Sequence, residues 1–286
     1  MEKLSVIGLG AMGSQLARVS IEAGYRVTVW NRSPDKAAPL VETGATLAPT
    51  AIDAIEASPV TIVCIRTHTD TLALLEAHAD RLAGKTIIEL STGETREAEK
   101  LSGRIEALGA QCLIGMIATF PSGIGKAGSA IVTVGPVAVW RRCESILKTL
   151  AGKSSHIGAN VGSLAALFAA LFLPRQGFMF GMIYGALVCE RVGISMDAYV
   201  EQIPLTLAVV HDYYDVFAAT VPSGDFSNPP ASIGTYLAAF RDVVDTFRDL
   251  GVSHELPELL HGLMQRGVDA GLGNEQVTAL TKMLRS

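Results

Sequence analysis

Gly8, Gly10 and Gly13 stand in the order G-x-G-x-x-G within "VIGLGAMG", and the later stretch "VTVWNRS" ends in Asn31, Arg32 and Ser33. After a strand and before a helix, each glycine of such a triplet has its own task. Gly8 allows the tight turn, Gly10 lets backbone approach a pyrophosphate, and Gly13 lets helix pack on strand. Phosphates then sit at a helix N-terminus, cradled by Gly8, Leu9, Gly10, Ala11, Met12 and Gly13. An ordinary strand-to-helix turn would show the same triplet, but a second strand ending in register at Trp30 favours a dinucleotide. That second strand also chooses between dinucleotides. A carboxylate at its end accepts from a ribose 2′-hydroxyl and repels a 2′-phosphate. This chain instead has Asn31, Arg32 and Ser33 there, with Lys36 one turn on. Arg32 can fork onto a 2′-phosphate and stack on adenine, Asn31 and Ser33 can donate, and Lys36 adds charge. The predicted cofactor is NADPH.

The elements that must position these groups are legible as a change of period along the chain. "LSVIGL", "RVTVWN", "VTIVCI", "KTIIEL" and "SAIVTVG" read as strands, and the stretches from Ala11, Ala51, Thr69, Arg96 and Pro136 as intervening helices. Such alternation predicts an α/β fold, a doubly wound parallel sheet. From about Gly158 the strand signals stop, and apolar-periodic segments follow with breaks at "VGIS", "VPSGDFSNPP", "LGVSHELP" and "GLGNEQ". The expected division is a nucleotide-binding domain at 1–158 and an all-helical part at 159–286.

Composition narrows the function classes. The 286 residues are 49% hydrophobic and 18% charged, enough apolar material for a large core. A net charge of -5 without a basic run argues against nucleic acid. The scattered cysteines, Cys64, Cys112, Cys143 and Cys189, lack the spacing of a zinc site or disulfide framework. His68, His78, His156, His254 and His261 form no HExxH-like pattern, so no metal is expected, although His68 lies beside a cofactor strand. "LAALFAALFLPRQGFMFGMIYGALVC" is interrupted by Pro174, Arg175 and Gln176, which predicts two pieces too short to span a membrane and a buried helix instead. With no secretion signal visible, the reading is cytoplasmic.

The segments "GLGAMG", "VWNRSPDKA", "LSTGE" and above all "IGMIATFPSGIG", with "GALVCERVGIS" and the closing "GLGNEQVTALTKMLR", resemble the NADPH-dependent imine reductases and reductive aminases. These are relatives of the β-hydroxyacid dehydrogenases and 6-phosphogluconate dehydrogenase. The likeness runs along essentially the whole chain. It implies a Rossmann domain, a long interdomain helix from near Gly162, and a helical C-terminal domain intertwined with a second subunit in a homodimer. It further implies that Cys64, Ile65 and Arg66 pass beside the nicotinamide ribose, that Ser91 and Thr92 lie near the reactive ring, and that Ser122 and Gly123 line the substrate pocket. Ser91 and Thr92 read equally as a helix cap before "GETREAEK", and Ser122 with Gly123 as a plain tight turn.

One departure stands out. Relatives place a lysine, aspartate or tyrosine early on the interdomain helix, where this chain has Phe168 and Ala169, which do not titrate. A carbonyl accepts hydride poorly without a proton donor, whereas an iminium is already cationic and becomes a neutral amine directly. Loss of the acid therefore damages alcohol–ketone chemistry more than imine reduction. A donor from elsewhere is conceivable in "AVVHDYYDVF", where His211 and Tyr214 share a helical face in the domain expected to cover a partner's nicotinamide. Aromatic packing with polar tips outward explains that pattern more simply. Imine reduction with NADPH is accordingly the leading reading for a small-molecule substrate held by Phe168 and Ala169. The alternatives are a hydroxyacid or carbonyl oxidoreductase and an NADPH-binding dimer without turnover.

Overall fold

The computed structural model describes residues 2–227 and 229–285. The chain divides into two compact units, Met1–Phe172 and Leu173–Ser286. The first is an α/β unit with strands β1 (Lys3–Ile7), β2 (Arg26–Trp30), β3 (Thr46–Leu47), β4 (Val60–Val63), β5 (Thr86–Glu89), β6 (Gln111–Ile117), β7 (Ile131–Val134) and β8 (Ser155–His156). They form one eight-stranded sheet in the order β3-β2-β1-β4-β5-β6-β7-β8. Helices α1 (Ala11–Glu22), α2 (Ala38–Val41), α3 (Ala51–Ala57), α4 (His68–Glu76), α5 (Thr95–Ala107) and α6 (Val137–Leu150) connect them.

Helices cover both faces of the sheet, which is why its central strands read as unbroken apolar runs rather than alternating ones. On one face Leu4, Val6, Ile62 and Ile88 pack with α1 and α6 through Leu16, Trp140 and Leu147. On the other, Ile7, Val63 and Ile87 pack with α3, α4 and α5 through Ile55, Leu75 and Leu101. The order turns from β2-β1 to β4-β5 at the centre, and this switch point opens a crevice above the carboxyl ends of the strands.

The sheet is not wholly parallel, and this corrects the expectation. β6 pairs antiparallel with β7, Ile114 opposite Val134 and Ile117 opposite Ile131, while the other pairings are parallel. The reason is local: the β6–β7 connection holds only a short 3-10 turn, Pro121–Gly123, and without a crossover helix the chain returns antiparallel. Strands β3, β6 and β8 also escaped the sequence reading. β3 and β8 are two residues each. β6 is interrupted by Gly115, where a Cβ would stand 2.5 Å from Leu90 Cδ2.

The second unit is helical. α7 (Gly162–Arg191) begins in the first unit and continues into it, followed by α8 (Met196–Ser223), α9 (Ile233–Asp249), α10 (Glu255–Gly267) and α11 (Leu280–Leu284). Its own core is small: Phe226, Ile233, Leu237, Met264 and Ala279. α7 overturns two expectations. It runs unbroken through Pro174, so the predicted interruption into two short pieces does not occur. It is not buried either, because Leu164 is its one buried residue in this chain taken alone. By length and composition it could cross a membrane.

Candidate active site

The glycine turn is built as its sequence requires. Gly8 has φ +94°, and a Cβ there would meet Cys64 O at 2.3 Å. A Cβ on Gly13 would lie 1.8 Å from Gly8 O. Both glycines are demanded by the protein itself. Gly10 differs, since a Cβ there meets nothing within 4 Å. It stands at the N-cap of α1 with no side chain capping the helix and no acid in its first turn. Its free amides and open face are what a pyrophosphate needs.

Asn31 has a structural part that its sequence does not announce. Its Oδ1 accepts from Leu9 N at 2.9 Å and its Nδ2 donates to Ser33 O at 3.0 Å. The amide ties the glycine loop to the end of β2, and Nδ2 carries a second N–H beyond the one bonded to Ser33 O, at a residue that lines the crevice. Arg32, Ser33 and Lys36 are exposed and line the crevice.

The crevice has a volume of about 890 Å³ and is walled entirely by the first unit. Gly8, Gly10, Ala11, Met12 and Gly13 line its centre, and Cys64, Ile65, Arg66, Ser91 and Thr92 line its β4–β5 end. Leu9 is buried behind the loop and contributes backbone. Phe168 lines the crevice from α7 and stacks on Phe172 with centroids 5.2 Å apart, whereas Ala169 is exposed and outside the lining. Ser122 and Gly123 also lie outside it: Ser122 is exposed in the 3-10 turn, and Gly123 packs against Thr119. His211 and Tyr214 belong to α8 in the second unit, where both are exposed. None of these four residues is among those that line the crevice.

Ser91 and Thr92 divide their duties. Ser91 is buried, and its Oγ accepts from Ile65 N at 3.1 Å, which stitches the ends of β4 and β5. Thr92 is exposed to the crevice, and its carbonyl accepts from His68 N at 3.2 Å. Neither caps α5. Glu94 holds the N-cap position, its amide donating to Glu97 Oε2 at 3.3 Å. Burial, and after it the charge of Glu89, pushes the Cys64 thiol up to about 11, so it stays protonated at neutral pH.

Two contributors, Asp70 and Glu89, were missed in the sequence, and His68, noted there only for its position, gains a partner. Asp70 brings a carboxylate to the Arg32 side of the crevice, gripped by Arg66 through Nε–Oδ2 at 3.1 Å and Nη2–Oδ1 at 3.3 Å. Its carboxyl is held below the usual range chiefly by the Arg66 hydrogen bond, then by Thr67, with Arg32 adding a smaller attraction. Their i,i+4 spacing, Arg66 to Asp70, was visible but unremarked. His68 and Glu89 form a buried pair under the β5 end. No motif announces Glu89, because its burial follows from the sheet.

A crevice at the switch point of a doubly wound sheet, with an uncapped helix N-terminus facing an exposed arginine, defines a dinucleotide-binding oxidoreductase. The matches to known proteins agree. The NAD binding domain of 6-phosphogluconate dehydrogenase matches residues 3–158, and the NADPH-dependent reductive aminase-like C-terminal domain matches 163–286. The chain is 28% identical over 286 residues to an NADPH-dependent reductive aminase of Aspergillus oryzae, covering 99% of this chain and 97% of that protein. It superposes on an imine reductase from Pseudomonas sp. with TM-score 0.92 at 30% identity, covering 99% of each chain. A reductive aminase from Aspergillus terreus in complex with NADPH and ethyl-5-oxohexanoate gives TM-score 0.91 at 30% identity and 99% coverage of both. The chain belongs to the family of NADPH-dependent imine reductases and reductive aminases, and is an NADP-dependent oxidoreductase.

Proposed function

We propose that this protein reduces a C=N bond with NADPH, and that it does so on an iminium rather than a carbonyl. The observation that carries the substrate preference is the apolar start of α7, where Phe168 faces the crevice and Ala169 follows it. When bound, NADPH supplies hydride. Gly8 to Gly13 hold the pyrophosphate on the α1 N-terminus, with Asn31 fixing the loop. Arg32, Ser33 and Lys36 take the 2′-phosphate, and the exposed Arg66 adds a cation whose direction Asp70 sets. The other half of the dinucleotide extends over Cys64, Ile65, Ser91 and Thr92, where Thr92 offers a hydroxyl to the reacting end. A substrate that is already cationic needs no acid at position 169 in the hydride step and is suited to aromatic walls.

The working form we infer is a homodimer. α7 and α8 expose Phe180, Ile183, Leu205, Val209 and Phe217, more apolar surface than a soluble helix pair leaves uncovered. A second copy would cover it, with the division at 1–158 and 159–286 separating cofactor binding from assembly, and the protein working in the cytoplasm. In that assembled state His211 and Tyr214 would be the candidate proton donors, and Ser122 and Gly123 the candidate substrate contacts.

The deciding assay follows NADPH absorbance with a cyclic imine such as a pyrroline, and in parallel NADP+ with 3-hydroxy acids. Turnover of the imine without oxidation of the hydroxy acid is the expected result. Oxidation of the hydroxy acid alone would transfer the protein to alcohol chemistry.

A further inference from the structure

Glu89 is the last residue of β5, and its side chain is wholly buried below the β4–β5 end of the crevice. Its Oε1 accepts three hydrogen bonds: from His68 Nδ1 at 3.0 Å, Thr71 Oγ1 at 3.2 Å and Ser91 N at 3.2 Å. Its Oε2 is equally buried and has no hydrogen-bond partner among the described residues. Burying a carboxylate with one oxygen unserved is costly, and a purely structural tie between strands would be met as well by a neutral amide. His68 is 4% exposed and reaches the crevice wall beside Thr92. Its ring lies so close to Gly93 that a Cβ there would stand 2.4 Å from Cδ2, so a side chain at 93 would displace the ring.

The charged and titratable surroundings of the pair come from every neighbouring element. Cys64 follows the end of β4 and Cys112 lies in β6, and the negative charge of Glu89 helps hold both thiols protonated. From α5 comes Glu97, which His68 influences and whose Oε1 accepts from Thr69 at 2.8 Å, and from α4 comes Asp70, already paired with Arg66. The imidazole therefore stands between a buried carboxylate on one side and an exposed one on the other.

We propose that Glu89 and His68 act as one proton-holding pair whose charge sets how strongly the crevice prefers oxidised over reduced cofactor. This rests on the NADPH reading above. With the imidazole neutral, the pair carries one negative charge beneath the floor, and a nicotinamide ring that has become cationic is stabilised. With one further proton the pair is neutral, and that advantage disappears. Neither residue transfers anything to substrate, and Glu89, being buried, acts on the ring only through its field. Because hydride transfer moves positive charge from iminium to nicotinamide, an anion fixed below the ring favours the state toward which the reaction moves. In an effective dielectric near 20, one unit charge within about a nanometre is enough to shift an affinity on the order of tenfold.

The test measures binding of NADP+ and NADPH separately by calorimetry, without substrate, from about pH 6 to about pH 9 in buffers of different ionisation heat. The 2′-phosphate is common to both ligands, so its own titration cancels in their ratio. In the wild type, NADP+ is expected to gain on NADPH by on the order of tenfold as pH rises, with a proton released on binding NADP+ and none on binding NADPH. Glu89→Gln keeps an acceptor for His68, Thr71 and Ser91 while removing the charge, so its ratio should be flat and its loss should fall on NADP+. His68→Gln should flatten the ratio with NADP+ still favoured. A wild-type ratio independent of pH with both ligands bound, or equal losses for both in Glu89→Gln, overturns the proposal. Should Glu89→Gln fail to fold, the wild-type titration decides alone. Failure of either dinucleotide to bind at all would overturn the cofactor reading itself, and this inference with it.

Discussion

The two units of this chain solve the burial problem in opposite ways. In the first, strands and helices close around each other until Leu4, Ile62, Ile87 and Leu101 are fully buried, and the exposed residues that remain at the crevice are those with chemistry to do. In the second, a small core around Ile233 and Met264 holds α9, α10 and α11 together, while α7 and α8 present Phe180, Leu205 and Val209 outward. The contrast teaches that apolar periodicity reports a demand for cover, not where the cover comes from. Within the sheet unit the demand is met along the same chain. In α7 and α8 it is left open.

Substitutions that act on one unit and spare the other test the contrast. The largest effect belongs to Gly13→Val, which drives side-chain atoms onto Gly8 O. It should destabilise the first unit by about 3 kcal/mol or more and abolish NADPH binding, as read by thermal unfolding and fluorescence titration. Gly10→Val is its counterpart. With open space around that Cβ, unfolding should shift by no more than about 1 kcal/mol, the cost of a β-branched N-cap, while NADPH affinity falls roughly a hundredfold, since the lost partner is a ligand rather than the protein. Next comes Leu205→Asp with Val209→Asp in α8, both exposed in this chain. Light scattering should then give a monomer, and imine turnover should be lost while NADPH binding survives in the first unit. A variant that remains dimeric would remove the assembly reading. A smaller effect is expected of Arg32→Ala, which should cost about tenfold to a hundredfold in preference for NADPH over NADH and leave NADH affinity alone.

The smallest effect is one of pH. The thiols of Cys64 and Cys143 are pushed up from near 9 to about 11, in both cases mainly by burial. The folded state thus favours the protonated form. Stability from this source is complete below about pH 9 and is lost as pH rises from 9 through 11, because the unfolded chain ionises first. Denaturant unfolding should show a midpoint that holds through neutral pH and declines in that alkaline interval. Cys64→Ser and Cys143→Ser should flatten the decline.

Much of the fold was legible because local chemistry and global structure agree. The runs "LSVIGL", "RVTVWN", "VTIVCI" and "KTIIEL" were readable as β1, β2, β4 and β5 from their β-branched residues, and the helix starts at Ala11 and Ala51 were placed on the residue. What escaped was short or locally contradictory: two-residue β3 and β8, and β6 with Gly115 inside it. At the crevice, the presence of Gly8, Gly10, Gly13, Arg32, Ser33 and Lys36 in the lining was legible, because a glycine turn and the end of the second strand lie at fixed offsets in such a fold. Nothing in "WNRS" tells that the Asn31 amide also reaches back to Leu9.

The amino-acid sequence by itself determined the cofactor class and the change from sheet to helices, because turn glycines, an arginine after the second strand and hydrophobic period are local properties. The tertiary structure decided that β7 runs antiparallel, that α7 passes unbroken through Pro174, and that Glu89 and His68 share a proton-bearing contact below the crevice. Those outcomes depend on which distant segments meet. Residues 21 positions apart on different elements become neighbours only once β4 and β5 lie side by side.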